Sequence, residues 1–103
     1  MTRQVMFTAK AETHLDSIHR YIRHRSGIAR ADTFVEAIVT FCASLDTFPH
    51  RGTQRDDILP GLRVIPFRRR VVLAVTIDAN TVIVGGVYYG GRDFETDLAT
   101  TPA

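Results

Sequence analysis

Apolar residues recur every three or four positions through the first half of the chain and every second position through the second half. Ala11, Leu15, Ile18 and Ile22 form one helical stripe, and Ala31, Phe34, Val35, Ile38, Phe41, Cys42 and Leu45 form a stronger one. Thr8 suits the N-cap of the first helix, and Ser26-Gly27 suits its end. The second stripe stops at Phe48-Pro49, where proline cannot continue a helix. The short link containing Gly27 then predicts an antiparallel helix hairpin. Arg3 to Thr8, short and partly alternating, predicts a strand leading into it.

Beyond the hairpin, Pro49 to Gly61 is polar and predicts a long loop, closed by a type II turn at Leu59-Pro60-Gly61-Leu62. Three strands follow: Leu62 to Phe67, Val71 to Ile77 and Val82 to Tyr89. Arg68-Arg69-Arg70 forms the first tip and Asp78-Ala79-Asn80-Thr81 the second turn. Pro66 lacks a backbone donor, which argues for an edge or a local break. In the middle strand Val71, Leu73, Val75 and Ile77 mark the core face. Gly85-Gly86 predicts a bulge or a close approach to the backbone. Asp93 to Leu98 predicts a short terminal turn and 99–103 a flexible tail, so the expectation is one α+β domain over 1–98: an N-terminal strand, an antiparallel two-helix hairpin, then a three-stranded antiparallel meander.

A chain of 103 residues affords one modest core. With 45% hydrophobic and 23% charged residues it is ordinary for a globular protein and unlike a disordered one. The charge is uneven in kind, because Lys10 is the only lysine among the 13 basic residues. Arg51, Arg55, Arg63, Arg68, Arg69 and Arg70 crowd one stretch against only Asp56 and Asp57, which suits an anionic nucleic acid or an acidic protein segment. No apolar run nears bilayer length and the N-terminus carries no secretion-signal core, so a cytoplasmic location is expected.

Candidate catalytic chemistry is sparse. His14, His19 and His24 are five apart, each rotated roughly 140° from the last on a helix, and cannot converge on a metal. Cys42 lies within the apolar stripe and predicts a packed thiol. Gly85-Gly86 and Gly90-Gly91 lack the helix-opening pattern of a phosphate loop. Neither a metal nor a cofactor is expected. A metal-free ribonuclease site could draw on Arg63, Arg69, Tyr88, Tyr89 and Arg92, but no convincing base joins them on the strands.

Phe48-Pro49-His50-Arg51-Gly52, Arg55-Asp56-Asp57-Ile58, Pro60-Gly61-Leu62-Arg63 and Tyr89-Gly90-Gly91-Arg92-Asp93-Phe94-Glu95 occur in the order, and on the elements, of the ParE toxins of bacterial type II toxin–antitoxin systems. The chain resembles that family over about Arg3 to Leu98, within the wider RelE/ParE superfamily. The resemblance implies a non-catalytic toxin that inhibits DNA gyrase, stalling it with cleaved DNA, and that a ParD-like antitoxin neutralises by wrapping around it. RelE-type relatives instead cut messenger RNA on the ribosome, the alternative reading, with lysines this chain nearly lacks. Residues expected to meet antitoxin or gyrase are Arg63, Arg68, Arg69, Tyr88, Tyr89, Arg92 and Phe94. Direct nucleic-acid contact is the lesser expectation.

Overall fold

In the computed structural model, which describes residues 3–91 and 93–100, a strand, a helix hairpin and an antiparallel run of strands are joined by a short terminal helix. The elements are β1 (Gln4–Phe7), α1 (Ala9–Ser26), α2 (Ile28–Ala43), β2 (Thr53–Gln54), β3 (Leu62–Phe67), β4 (Val71–Ile77), β5 (Thr81–Tyr89) and α3 (Phe94–Thr100). Thr8 caps α1 as expected, its Oγ1 accepting from the Ala11 N–H at 3.1 Å. Gly27 alone joins the two helices. α2 ends earlier than Phe48-Pro49: Ser44–Asp46 tightens into a 3-10 turn, with the Ser44 hydroxyl donating to the Phe41 carbonyl at 2.6 Å. Leu45 still completes the buried stripe from that turn.

The expected meander is the centre of a larger sheet. Five strands lie in the order β1-β5-β4-β3-β2, with β1 parallel to β5 and the other pairs antiparallel. The 49–61 segment, expected to lack structure, contributes β2 opposite Arg63 and Val64 and a set of hydrogen-bonded turns. Asp56 is the reason: its Oδ1 accepts from the Gly61 N–H at 2.8 Å and replaces a backbone partner. The Leu62 N–H donates to the Leu59 carbonyl at 3.1 Å, and Gly61 at φ +79° supplies the conformation the Pro60-Gly61 turn needs. Since β2 pairs only with Arg63 and Val64, the missing N–H of Pro66 falls where no outer strand follows.

Gly85 is the extra residue of a bulge. Ala74 pairs with Gly86 and Val75 with Val84, leaving Gly85 unmatched. The bulge resets the side-chain alternation of β5, so Val82 and Val84 before it and Val87 after it all join the core beneath α1 and α2. Leu73 and Val75 meet them from β4. Tyr88 is thereby turned to the opposite face, where Leu62, Ala74 and Leu98 form a second, smaller core with Ile58, Leu59 and Phe94. α3 covers that face. It runs through Ala99 to Thr100, two residues beyond the expected terminal turn, and 101–103 of the expected tail lie outside the described residues.

Candidate functional site

Two concave surfaces meet where the turn of the hairpin approaches the β3–β4 tip. The larger, of about 740 Å³, lies between the end of α1, the start of α2, the tip and Tyr89. The smaller, of about 330 Å³, runs along α1 past His14 to Gly90; Tyr21, Arg70 and Tyr89 are common to both. Their floor is aromatic. Tyr89 meets Tyr21 at 5.7 Å between ring centroids and Phe34 at 5.6 Å, the latter edge to face.

Arginines form the rim. Arg25 lies over the Tyr21 ring at 5.2 Å, as expected of a cation on an aromatic face one helical turn away. Arg30 enters from α2, and Arg68 and Arg70 from the tip. Arg68 and Arg69 hold positive φ values of 51° and 66°, a left-handed backbone that side chains other than glycine adopt at a penalty of about 1–2 kcal/mol each. The Arg70 N–H donates to the Arg68 carbonyl at 2.8 Å, and the Gly90 N–H to the Arg70 carbonyl at 2.9 Å, which fixes the tip against the end of β5.

The arginine cluster that is contiguous in sequence is therefore divided in space. Arg55 is used internally: its Nε and Nη2 donate to Asp57, each at 2.9 Å, and Nη2 donates to Glu95 at 2.6 Å, which fastens the 49–61 segment to α3. Arg55 holds the exposed Asp57 carboxyl below its ordinary pKa. Arg63, half-buried, donates from Nε to the Arg51 carbonyl at 3.1 Å, and Arg51 lies over Phe41 and Phe48. Only Arg68 and Arg70 of that stretch reach the concave surface, where the hairpin adds Arg25 and Arg30.

Tyr88, expected at a partner surface, borders the smaller concave surface but is 5% exposed and belongs to the second core. Its hydroxyl donates to Asp97 at 2.6 Å, and its ring packs on His14 at 4.9 Å and Phe94 at 6.2 Å. Burial, then the bond to Asp97, pushes its phenol above the ordinary tyrosine pKa. Phe94, half-buried at the start of α3, is likewise part of that core. Tyr89 is half-buried on the concave floor and Arg69 is exposed at the tip, while Arg92 lies outside the described residues. Sequence reasoning missed Tyr21, Arg25 and Arg30. The available signs were a tyrosine off the apolar stripe of α1 and the arginines gathering at its C-terminal end, a pattern that dipole complementarity alone would produce.

Several other reactive groups are occupied. Lys10 pairs with Asp97 at 2.7 Å. His14 Nδ1 accepts from the Val87 N–H at 3.0 Å, so that nitrogen carries no proton, and His19 Nε2 meets Asp32 at 2.7 Å, linking α1 to α2. Among the described residues no group of three or more His, Cys, Asp or Glu side chains could hold a metal ion, and no helix is long and apolar enough to cross a membrane. Cys42 is fully buried, and burial pushes its thiol up to about 12. We expect a disulfide reagent at pH 8 to label native Cys42 at least roughly a hundredfold more slowly than the unfolded chain, because so little thiolate forms. Equal rates in a timed absorbance assay would contradict this burial.

The family model for the ParE toxin of type II toxin–antitoxin systems, parDE, matches residues 5–94. The chain belongs to the ParE toxin family. A solved structure described as the chromosomal ParDE TA system from P. aeruginosa superimposes with a TM-score of 0.75 at 20% identity, covering 86% of this chain and 97% of that one. At that identity the likeness shows a shared fold. A comparison with curated protein sequences yields no significant match. The ParE match ends at Phe94, so most of α3 lies beyond it, yet α3 is locked to the common core through Asp97.

That lock is pH-sensitive in a calculable direction. Lys10, then Tyr88, hold the Asp97 carboxyl below its ordinary pKa. A depressed folded-state value means the stabilisation is present above the unfolded carboxylate pKa of about 4 and is lost as pH falls through the folded value. Asp97 is 45% exposed, which limits the effect to about 0.5–1 kcal/mol. Asp97→Asn is expected to melt lower than the parent at pH 7, with the gap shrinking as pH falls below about 4. A melting difference independent of pH would refute the assignment.

Proposed function

We propose that this ParE-family toxin acts in the cytoplasm by binding DNA gyrase, without catalysis of its own, and is neutralised by a ParD-like antitoxin. The family match over 5–94 carries the proposal. Support comes from the internal use of two of the groups a ribonuclease could draw on: Lys10 is paired with Asp97, and Tyr88 is buried with its phenol bound to the same carboxylate. A general acid or base must reach the substrate and exchange a proton with it, and burial of the Tyr88 phenol opposes that.

The antitoxin is proposed to place an amphipathic helix over the hairpin and an extended segment along the sheet. Ile28 and Val39, 60% and 40% exposed on α2, offer apolar contacts, and the outer edge of β1 offers unpaired backbone groups. Arg63, Arg69 or Arg92 are the proposed partners of its acidic residues.

Purified toxin added to gyrase and plasmid DNA is expected to suppress supercoiling and accumulate cleaved DNA–gyrase complex, and the antitoxin is expected to reverse both. Unchanged supercoiling with no cleaved complex would refute the gyrase reading. Cleaved messenger RNA on toxin-bound ribosomes would establish the RelE-like alternative in its place.

A further inference from the structure

We propose that the larger concave surface binds single-stranded nucleic acid, with Arg25, Arg30, Arg68 and Arg70 holding successive phosphates and Tyr21 and Tyr89 offering ring faces and edges to a base. The proposal is independent of gyrase, because it rests on the pocket alone. Four arginines from three segments line one cavity of about 740 Å³, a size typical of ligand sites, and the Arg68 guanidinium lies 5.1 Å from the Phe67 ring centroid. No carboxylate lines that cavity, and among the described residues none of the four makes an ion pair. Among the described arginines only Arg55 makes an ion pair, so what sets these four apart is the cavity they share and the lack of any carboxylate in its lining. Four like charges gathered without counter-charge repel one another, and an anionic ligand removes that repulsion.

The class of anion follows from what accompanies the charge. An acidic peptide requires only the guanidiniums, whereas the aromatic floor supplies π surface beside them, the combination that proteins use to track a sugar–phosphate backbone while stacking its bases. Tyr21 is 48% exposed, with Arg25 across its ring, so a base can be held within reach of a cation already in place.

The tip provides a second, independent observation. Arg68 and Arg69 occupy left-handed backbone where glycine would be free of strain. Strain retained in an exposed turn points to a use for the side chains that cause it. Arg68→Gly is therefore expected to raise the melting temperature while lowering nucleic-acid affinity, two effects in opposite directions that a purely structural arginine would not give.

The test is fluorescence anisotropy of a labelled 12-nucleotide oligothymidylate with antitoxin-free toxin across a salt series, variants being checked for folding by circular dichroism. Four phosphate contacts on a single strand predict a slope of log affinity against log salt of about −3. Arg25→Ala combined with Arg70→Ala is expected to weaken binding at least roughly tenfold and to halve the slope. Tyr21→Ala is expected to weaken it by a similar factor with the slope unchanged, as loss of stacking requires. Arg51→Ala, away from the cavity, should leave both intact. No binding at low salt, or equal binding by the Arg25/Arg70 double variant and the parent, would overturn the proposal. So would a poly-glutamate peptide of matched charge that displaces the oligonucleotide at lower concentration, since it would assign the pocket to an acidic protein segment.

Discussion

Gly52→Ala is expected to destabilise the protein by about 3 kcal/mol, lowering the melting temperature by roughly 12–24 °C for a domain of this size. A Cβ at Gly52 would overlap the Val64 carbonyl oxygen and lie 2.9 Å from the Ile65 Cα. Both atoms belong to the backbone of β3, which is held by β4 and cannot retreat. The positive φ of 72° adds about 1–2 kcal/mol of strain to the overlap. The 49–61 segment would have to lift, taking with it the β2 pairing and the contact of Arg51 with the Arg63 Nε. Gly61→Ala is the matched control. It shares a positive φ of 79° but meets nothing within 4 Å, so only the backbone penalty of about 1 kcal/mol should appear. Thermal melts in which the two variants are equally destabilised would show that contact with β3 contributes nothing.

Gly86→Ala is expected to cost about 2–3 kcal/mol through overpacking against Tyr88. The added Cβ would stand 2.7 Å from the ring at Cε2 and 2.9 Å from its hydroxyl oxygen. An exposed tyrosine would swing aside with little penalty, but this ring is held by His14, Phe94 and Asp97. Moving it releases α3, so hydrogen exchange of the α3 amides should accelerate together with the fall in melting temperature. The cause is separable by a double-mutant cycle: on a Tyr88→Ala background, Gly86→Ala should change stability by less than about 0.5 kcal/mol. An undiminished penalty there would place the clash elsewhere. Because Tyr88 packs with α3 and does not line the larger concave surface, oligonucleotide binding through Tyr21 and Tyr89 should survive Gly86→Ala below its melting range.

The hairpin was legible because α1 and α2 each bury a single stripe, and a single stripe has one period to read. β4 was legible for the same reason, with Leu73 and Val75 on the deeper core. β5 was legible as a strand with a bulge at Gly85-Gly86, but the facing of its last residues was not, since Gly85 shifts the parity of the strand and turns Tyr88 inward on the other face. A glycine pair announces a bulge, but which residue it displaces depends on the partner strand. Arg63 and Tyr88 were chosen as surface residues from their chemistry, and both were drawn into internal bonds that only distant residues supply, the Arg51 carbonyl and Asp97.

The sequence by itself determined the α+β class, the capped first helix, the central antiparallel strands, the turn at Pro60-Gly61 and the family, because each rests on local spacing or on words read in order. Only the tertiary structure decided that β1 runs parallel beside β5, that α3 closes a second core, and that the arginines regroup. Arg25 and Arg30 lie about forty residues from Arg68 and Arg70, and no local pattern joins them. The hairpin turn and the strand tip share a pocket because packing the apolar stripes of α1 and α2 on the sheet brings those two ends of the molecule together.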